Sequence, residues 1–418
     1  MLANKRKKRC VAAALAALVV LASGVAASQA AAEPARQPDG PQIYEVLGTG
    51  TPQLRTEVAR TGVDVLGTSG ATTTIIANPG EAARLRALGF TLESRGPVDR
   101  SPSTSAAPAE FPPGYTGYHT YAEVTTELQK AQANYPAIAK LSSAGKSYEG
   151  RTLNVLKISK NVEADENEPE VLFTCNQHAR EHLTTEMCLR IVDRFTKGYA
   201  TDPAIKKMVD STAIFVIPNV NPDGSEYDIS GGRFHSWRKN RQGQGTDTNR
   251  NWGYKWGCCG GSSGSPSNET YRGPSAFSAP ETKAVSNWVN AHKVNGVQRI
   301  KTHIDFHTYS ELVLWPWGYT YDATGPGMTQ AEAAKFQNLG RQMAATNGYT
   351  PEQSSQLYIT DGSMNDWMWA TNRIWSYTFE MYPRGGSPGF YPPDSAIVPQ
   401  TTRNDKAVDI IINAAITG

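Results

Sequence analysis

Residues 171–175 read Val-Leu-Phe-Thr-Cys, an unbroken run of strand length, and His178-Ala179-Arg180-Glu181 follows at once. A short continuous apolar run fits a strand buried on both faces. It constrains the chain to a layered α/β arrangement, with the polar residues behind the run on the loop at the strand's carboxyl end. A second run, residues 300–306, leads into His307 within Ile304-Asp305-Phe306-His307-Thr308-Tyr309. Two imidazoles and one carboxylate form a usual ligand set for a catalytic zinc, whose fourth position is left to water. His178, Glu181 and His307 are the candidate ligands.

Zinc lowers the pKa of its water to about 7, but a carboxylate must still take the proton and pass it on. Glu380, closing the apolar run Tyr377-Thr378-Phe379-Glu380, is the candidate base. Arg238 sits in Trp237-Arg238-Lys239-Asn240-Arg241, and Asn249-Arg250-Asn251 follows Gly245-Thr246-Asp247. A substrate with a free carboxylate needs a planar, bidentate cation, which is the property of arginine. Singly, each signal is weak: His-x-x-Glu arises by chance, and loop arginines are commonly solvated. Their weight comes from one mechanism that uses them all.

A competing motif overlaps the first. His178 to His182 reads His-Ala-Arg-Glu-His, which matches the inverted zincin signature. That reading needs one helix through both histidines, with Glu181 as base. The strand-end reading needs His178 just beyond residues 171–175, and it also employs His307, Arg238, Arg250 and Glu380. We therefore expect Glu181 to be a ligand and His182 to lie outside the metal shell.

The chain has 418 residues, room for two or three domains. Its 41 basic and 39 acidic residues give no support for nucleic-acid binding, which calls for a basic patch or a high pI. With 9 Trp, 18 Tyr and 11 Phe it is not the composition of a disordered chain. Lys5 to Arg9 followed by an Ala/Leu/Val stretch over 11–25 and small residues up to 32 reads as a signal peptide, so a secreted protein is expected. No later segment reaches about 20 apolar residues, so no membrane span is expected. Cys10 leaves with the signal. Cys175, Cys188, Cys258 and Cys259 remain, and an exported protein permits disulfides among them. The first two could face each other between a strand and the next helix. The adjacent pair is open to a vicinal bridge or to the reduced state.

Residues 33–96 read as a small β-α-β-β-α-β unit: strands near 43–46, 63–66, 72–76 and 90–93, with helices over 51–61 and 78–88. The unit holds no His and no Cys. A Pro/Ser/Ala-rich stretch over 97–113 reads as an exposed, cleavable linker. This order suggests a zymogen. Residues 114–418 alternate strands (near 153–158, 171–174, 213–217, 300–306 and 375–379) with helices (near 181–199, 279–295, 329–347 and 401–416), an α/β domain with a mixed sheet.

From about residue 111 onward the chain resembles zinc metallocarboxypeptidases of the carboxypeptidase A type, and among them secreted bacterial carboxypeptidase T. The resemblance rests on His-Ala-Arg-Glu (178–181), Asn-Pro-Asp-Gly (221–224), Ser-Trp-Arg-Lys (236–239), Thr-Asp-Thr-Asn-Arg-Asn (246–251), Phe-His-Thr-Tyr-Ser (306–310), Tyr-Ile-Thr-Asp-Gly (358–362) and Thr-Phe-Glu (378–380). It implies a mixed eight-stranded-type sheet flanked by helices, preceded by a small α+β open-sandwich pro-domain. It implies one Zn2+ on His178, Glu181 and His307, Glu380 as base and then acid, and Arg238 as the oxyanion donor. Asn249, Arg250 and Tyr358 would hold the substrate carboxylate, Arg180, Tyr309 and Phe390 the preceding subsites, and Asp247 would orient His178. Members that take C-terminal Lys or Arg tend to carry an acid where Ser363 or Asn365 stands, so neutral or apolar C-terminal residues are expected. The acidic stretch 163–170 is a candidate for Ca2+. Peptide or protein C-termini are the expected partners, with no nucleic acid and no membrane, and the protein is expected to be a monomer. A non-catalytic zinc or peptide-binding module is the alternative outside enzymes.

Overall fold

The structure is a computed structural model that describes residues 40–98, 108–164 and 166–418. The expected signal peptide and most of the expected linker lie outside the described residues.

The N-terminal unit is built as its turn chemistry dictates. After strand β1 (Gln42–Leu47), Thr51 caps helix α1 (Pro52–Arg60) by accepting from the Leu54 N–H, and Pro52 opens the first turn. Strands β2 (Asp64–Ser69) and β3 (Thr72–Ala77) follow. Asn78 and Glu81 form a capping box at the start of helix α2 (Pro79–Ala87), and strand β4 (Thr91–Pro97) ends the unit. The strands lie in the order β2-β3-β1-β4, all antiparallel. Val46, Val58, Ile75, Ala82 and Leu85 fill the space between sheet and helices.

The rest of the chain forms one larger sheet with helices on both faces. In chain order come α3 (Tyr121–Asn134), β5 (Ala139–Lys146), β6 (Thr152–Ile158), β7 (Glu170–Cys175), α4 (His182–Gly198), α5 (Pro203–Ser211), β8 (Ala213–Ile217), α6 (Pro222–Asp228) and α7 (Pro280–Ala291). A two-residue pair, β9 (Lys293–Val294) and β10 (Val297–Gln298), precedes β11 (Ile300–Thr308) and β12 (Leu312–Trp315). Then come α8 (Gln330–Asn347), β13 (Thr350–Gln353), α9 (Ser354–Leu357), α10 (Met364–Asn372), β14 (Trp375–Met381), α11 (Ile397–Thr402) and α12 (Asp405–Thr417).

The large sheet has eight strands in the order β13-β12-β14-β11-β7-β8-β6-β5, the mixed sheet expected. Every residue of β7 is buried. Val171, Phe173 and Cys175 pack in the cluster that holds Leu183 and Met187 of α4, whereas Leu172 points to the other face, with Val285 and Val289 of α7. Both pairings left open by the sequence are closed: Cys175 of β7 is bridged to Cys188 of α4, and Cys258 to Cys259 vicinally.

What matters for function is the middle of this sheet. β7, β11 and β14 lie side by side and parallel, with Phe306 beside Cys175 and His307 beside Glu380. Their carboxyl ends therefore open onto one edge.

Three expected helices have other bounds. The first starts at His182, because the Glu181 side chain is drawn to the two histidines and makes no cap. The helix expected to reach residue 295 ends at Ala291, and beyond it Asn295 and Gly296, both with positive φ, form the turn that joins β9 to β10. The C-terminal helix breaks between α11 and α12 at Asn404, whose buried side chain is held by Asn347 and the Gln400 carbonyl. No helix among the described residues is long and apolar enough to cross a membrane.

Candidate active site

His178 hangs on the loop after β7, Glu181 at the mouth of α4, and His307 at the end of β11. Two of the three therefore stand just past a strand's carboxyl end or at it, as the sequence predicts. His178 Nδ1 lies 2.8 Å from Glu181 Oε1, and His307 Nδ1 lies 2.9 Å from Glu181 Oε2. The two Nδ1 atoms are 3.1 Å apart. Each ring's other nitrogen faces a carboxylate: His178 Nε2 stands 3.1 Å from Asp247 Oδ1, and His307 Nε2 2.7 Å from Asp305 Oδ2. With a cation shared by Glu181 and the two Nδ1 atoms, the ring proton of each histidine belongs on Nε2, facing a carboxylate that only accepts. Both Nδ1 lone pairs then converge with a carboxylate on one point, a donor set that fits a small cation of the zinc type. Among the described residues this is the one group of three or more His, Cys, Asp or Glu side chains placed to hold a metal ion.

Asp247 serves two neighbours. Its Oδ1 orients His178, and its Oδ2 accepts from Arg238 Nε and Nη2 at 3.2 and 3.0 Å. Burial alone would raise this carboxyl, but the Arg238 guanidinium and His178 outweigh burial and hold it well below the usual range. Asp305 was not singled out in the sequence. It also binds Gln177 Nε2 and Thr174 Oγ1 and is fully buried. The signal was present: His303, Asp305 and His307 alternate along a buried strand, and charged residues at such positions need a polar partner.

Glu380 sits in register beside His307 on β14. Burial pushes its carboxyl up to about 8; His307 opposes that shift and Glu181 adds to it. It lines one cleft together with His178, Glu181, Arg238, Asn249, Arg250, Tyr309, Tyr358, Ser363, Asn365 and Phe390. Arg250 is held by the carbonyls of Gly261 and Asn249, and Asn249 Oδ1 accepts from the Met364 N–H. All the expected site residues thus gather on this edge, apart from Arg180, which is turned elsewhere.

Arg180 is fully buried under the N-terminal unit. Its Nη1 and Nη2 bind Asp64 Oδ2 and Oδ1 at 2.6 and 2.9 Å, and its guanidinium carbon lies 4.0 Å from the centre of the Phe390 ring. Leu66 and Ile76 of the same unit pack on Tyr309 and Phe390. Val65, Leu66 and Gly67 line the cleft itself.

The inverted-zincin alternative does not match this geometry. His178 lies outside the helix, and His182 Nε2 pairs with Asp228 Oδ2 at 2.9 Å, away from the other two histidines' meeting point. The acidic stretch 163–170 shows no grouping of three ligands among its described residues. Glu163, Glu166 and Glu168 each face a lysine, and Glu170 faces His292.

The comparisons with known proteins give the family. Residues 124–407 match the zinc carboxypeptidase family model. A zinc carboxypeptidase of Saccharothrix mutabilis subsp. capreolus is 52% identical over 98% of this chain and 97% of its own length. Carboxypeptidase B of Astacus astacus is 31% identical over 72% of the chain and 97% of its own. Among solved structures, carboxypeptidase A from Helicoverpa armigera shares the fold with a TM-score of 0.74 at 23% identity, over 91% of this chain and 98% of its own. The chain belongs to the zinc carboxypeptidase family, whose members hydrolyse the C-terminal peptide bond.

Proposed function

We propose that this protein is an exported, monomeric zinc carboxypeptidase made as an inactive precursor, which removes neutral, chiefly apolar, C-terminal residues from peptides and proteins. The observation that carries the catalytic part is the convergence of His178 Nδ1, His307 Nδ1 and Glu181, with Glu380 in register beside His307. Bound zinc would supply the Lewis acid and a water of lowered pKa.

The chain's own residues do the rest. His178 and His307 bind the ion in the tautomer that Asp247 and Asp305 fix. Glu380, kept from easy ionisation by burial, takes the proton of the attacking water and returns it to the leaving amine. Arg238, steadied by Asp247, donates to the oxygen on which negative charge develops. Arg250, Asn249 and Tyr358 receive the terminal carboxylate, which makes the enzyme an exopeptidase. Tyr309, Phe390 and, once freed from Asp64, Arg180 line the subsites that precede the scissile bond. The precursor reading draws on the N-terminal unit's hold on that cleft. The exported reading draws on the basic and apolar leader. The described acidic side chains of 163–170 face Lys or His and give no support for Ca2+.

The test is Glu380→Gln on the processed enzyme, assayed with free and C-terminally amidated peptides. The variant should retain zinc and lose at least about a hundredfold in turnover, and the parent should cleave only the free peptide well. Full activity of the variant would exclude Glu380 as the base and reopen the non-catalytic reading. Equal cleavage of amidated peptide would exclude an exopeptidase.

A further inference from the structure

Behind the ligand side chains the buried strands carry a second polar series. Asp305, which orients His307, accepts from Thr174 Oγ1 at 2.6 Å. Thr174 Oγ1 lies 2.8 Å from His303 Nε2, and His303 Nδ1 lies 2.8 Å from Ser376 Oγ. Ser376 Oγ is 2.6 Å from one amide atom of Asn365, whose other amide atom is 2.7 Å from Thr378 Oγ1. All six side chains are buried. The series starts at the carboxylate behind the ligand His307 and ends on Asn365 and Thr378, which line the cleft. Nothing in the reaction itself calls for His303.

Its protons give the series a direction. A hydroxyl has one proton to donate. Thr174 gives its own to Asp305, so His303 Nε2–H must donate to Thr174. Burial pushes the imidazole down to about 4, so the ring is neutral and Nδ1 carries a lone pair. Ser376 must therefore donate to Nδ1, and it is left to accept from Asn365. As the side chain stands, Nδ2 faces Thr378 and Oδ1 faces Ser376, an arrangement that suits a doubly protonated ring. Exchange of these two near-isosteric amide atoms completes the series for the neutral ring. Each link from Thr378 to Asp305 then has one donor and one acceptor.

We infer that His303 is a positioning residue that couples Asn365, in the side-chain pocket, to Asp305 and through it to the metal ligand His307. The inference rests on the metal site proposed above. Such a buried network is fully satisfied or costly, so a change at one end is felt at the other. A substrate side chain that re-orients Asn365 would then alter the hold on the metal without touching it.

The test reads zinc release to a chelator from the full-length protein. His303→Phe keeps the ring volume and removes both polar atoms; it should speed zinc release about tenfold. His303→Gln, which can still donate and accept, should recover most of that loss. Asn365→Leu should alter zinc release in the parent and have no added effect in the His303→Phe background. Should His303→Phe fail to fold, Ser376→Ala breaks the same series and should equally silence Asn365→Leu. Equal effects of Asn365→Leu in both backgrounds, or none in the parent, would overturn the coupling. A parent that binds no zinc would overturn the metal-site reading instead.

Discussion

At the residue scale, the site is a set of buried charges that hold one another in place. His307 and Glu380 were legible in the sequence because each ends a run of apolar residues, and His178 and Glu181 because they follow such a run, where a charge needs a reason. Asp305 was legible only through its alternation with His303 and His307, and Asp64 not at all. The first hides inside a strand, and the second is an ordinary loop-to-strand aspartate until Arg180 is seen across from it. Asp366 shows what a buried acid does without a cation. It accepts from the Gly318 and Tyr319 N–H groups, and burial, with a smaller push from Asp361, raises its carboxyl to about 7. In the unfolded chain it would titrate at about 3.9. Between those values the folded state binds the extra proton, so its contribution to stability is full below pH about 4 and falls as the pH rises to about 7. Asp366→Asn removes this slope. The urea midpoint of the variant relative to the parent should therefore rise from pH 5 to pH 8, and a constant difference would show that Asp366 does not titrate in this range.

At the element scale, the strands in the sheet's centre were readable as apolar runs, and the shorter or edge elements were not. β12 and β13 have four residues each, too few for a period to show. Helix α3 carries one local signal, the Thr120-x-x-Glu123 capping box. Helix α10 starts at the cleft. Ser363 caps it, Met364 N–H is fixed by Asn249, and Asn365 faces Ser376 and Thr378. The two acids that flank this turn point elsewhere. Asp361 accepts from the Cys259 and Gly261 N–H groups and the Ser262 hydroxyl, and Asp366 is taken up by Gly318 and Tyr319. Neither lines the cleft. A C-terminal Lys or Arg would find neither acid there, and an unpaired buried charge costs several kcal/mol. On matched substrates kcat/KM for Phe or Leu should exceed that for Lys by about a hundredfold or more, at about 1.4 kcal/mol per decade. A Lys substrate that does as well would show that one of these acids reaches the pocket.

At the scale of the whole molecule, the N-terminal unit was visible in the sequence as a unit, but its grip on the cleft was not, because no local pattern reports a contact between residues more than a hundred positions apart. That grip has three parts. Asp64 neutralises Arg180 in a buried ion pair. Leu66 and Ile76 cover Tyr309 and Phe390. Helix α1 holds the backbone on both sides of Tyr358: Arg55 donates to the Leu357 carbonyl at 2.7 Å, and Thr56 Oγ1 accepts from the Ile359 N–H at 2.9 Å. Among these the ion pair is the one a single substitution can break cleanly. Removing one partner of a buried pair leaves the other charge uncompensated, at a cost of about 3–5 kcal/mol. In Asp64→Asn that cost falls on the covered state alone, because in the open state Arg180 meets water or substrate. The full-length variant should then hydrolyse a peptide substrate at least about tenfold faster than the full-length parent, well inside the shift that such a penalty permits. Once the linker is cut and the N-terminal unit removed, parent and variant are the same polypeptide, so their processed forms should have one kcat/KM. A full-length parent already as active as the processed enzyme would show that the unit does not inhibit. A silent Asp64→Asn in an inhibited precursor would place the inhibition on Leu66, Ile76 and α1 instead.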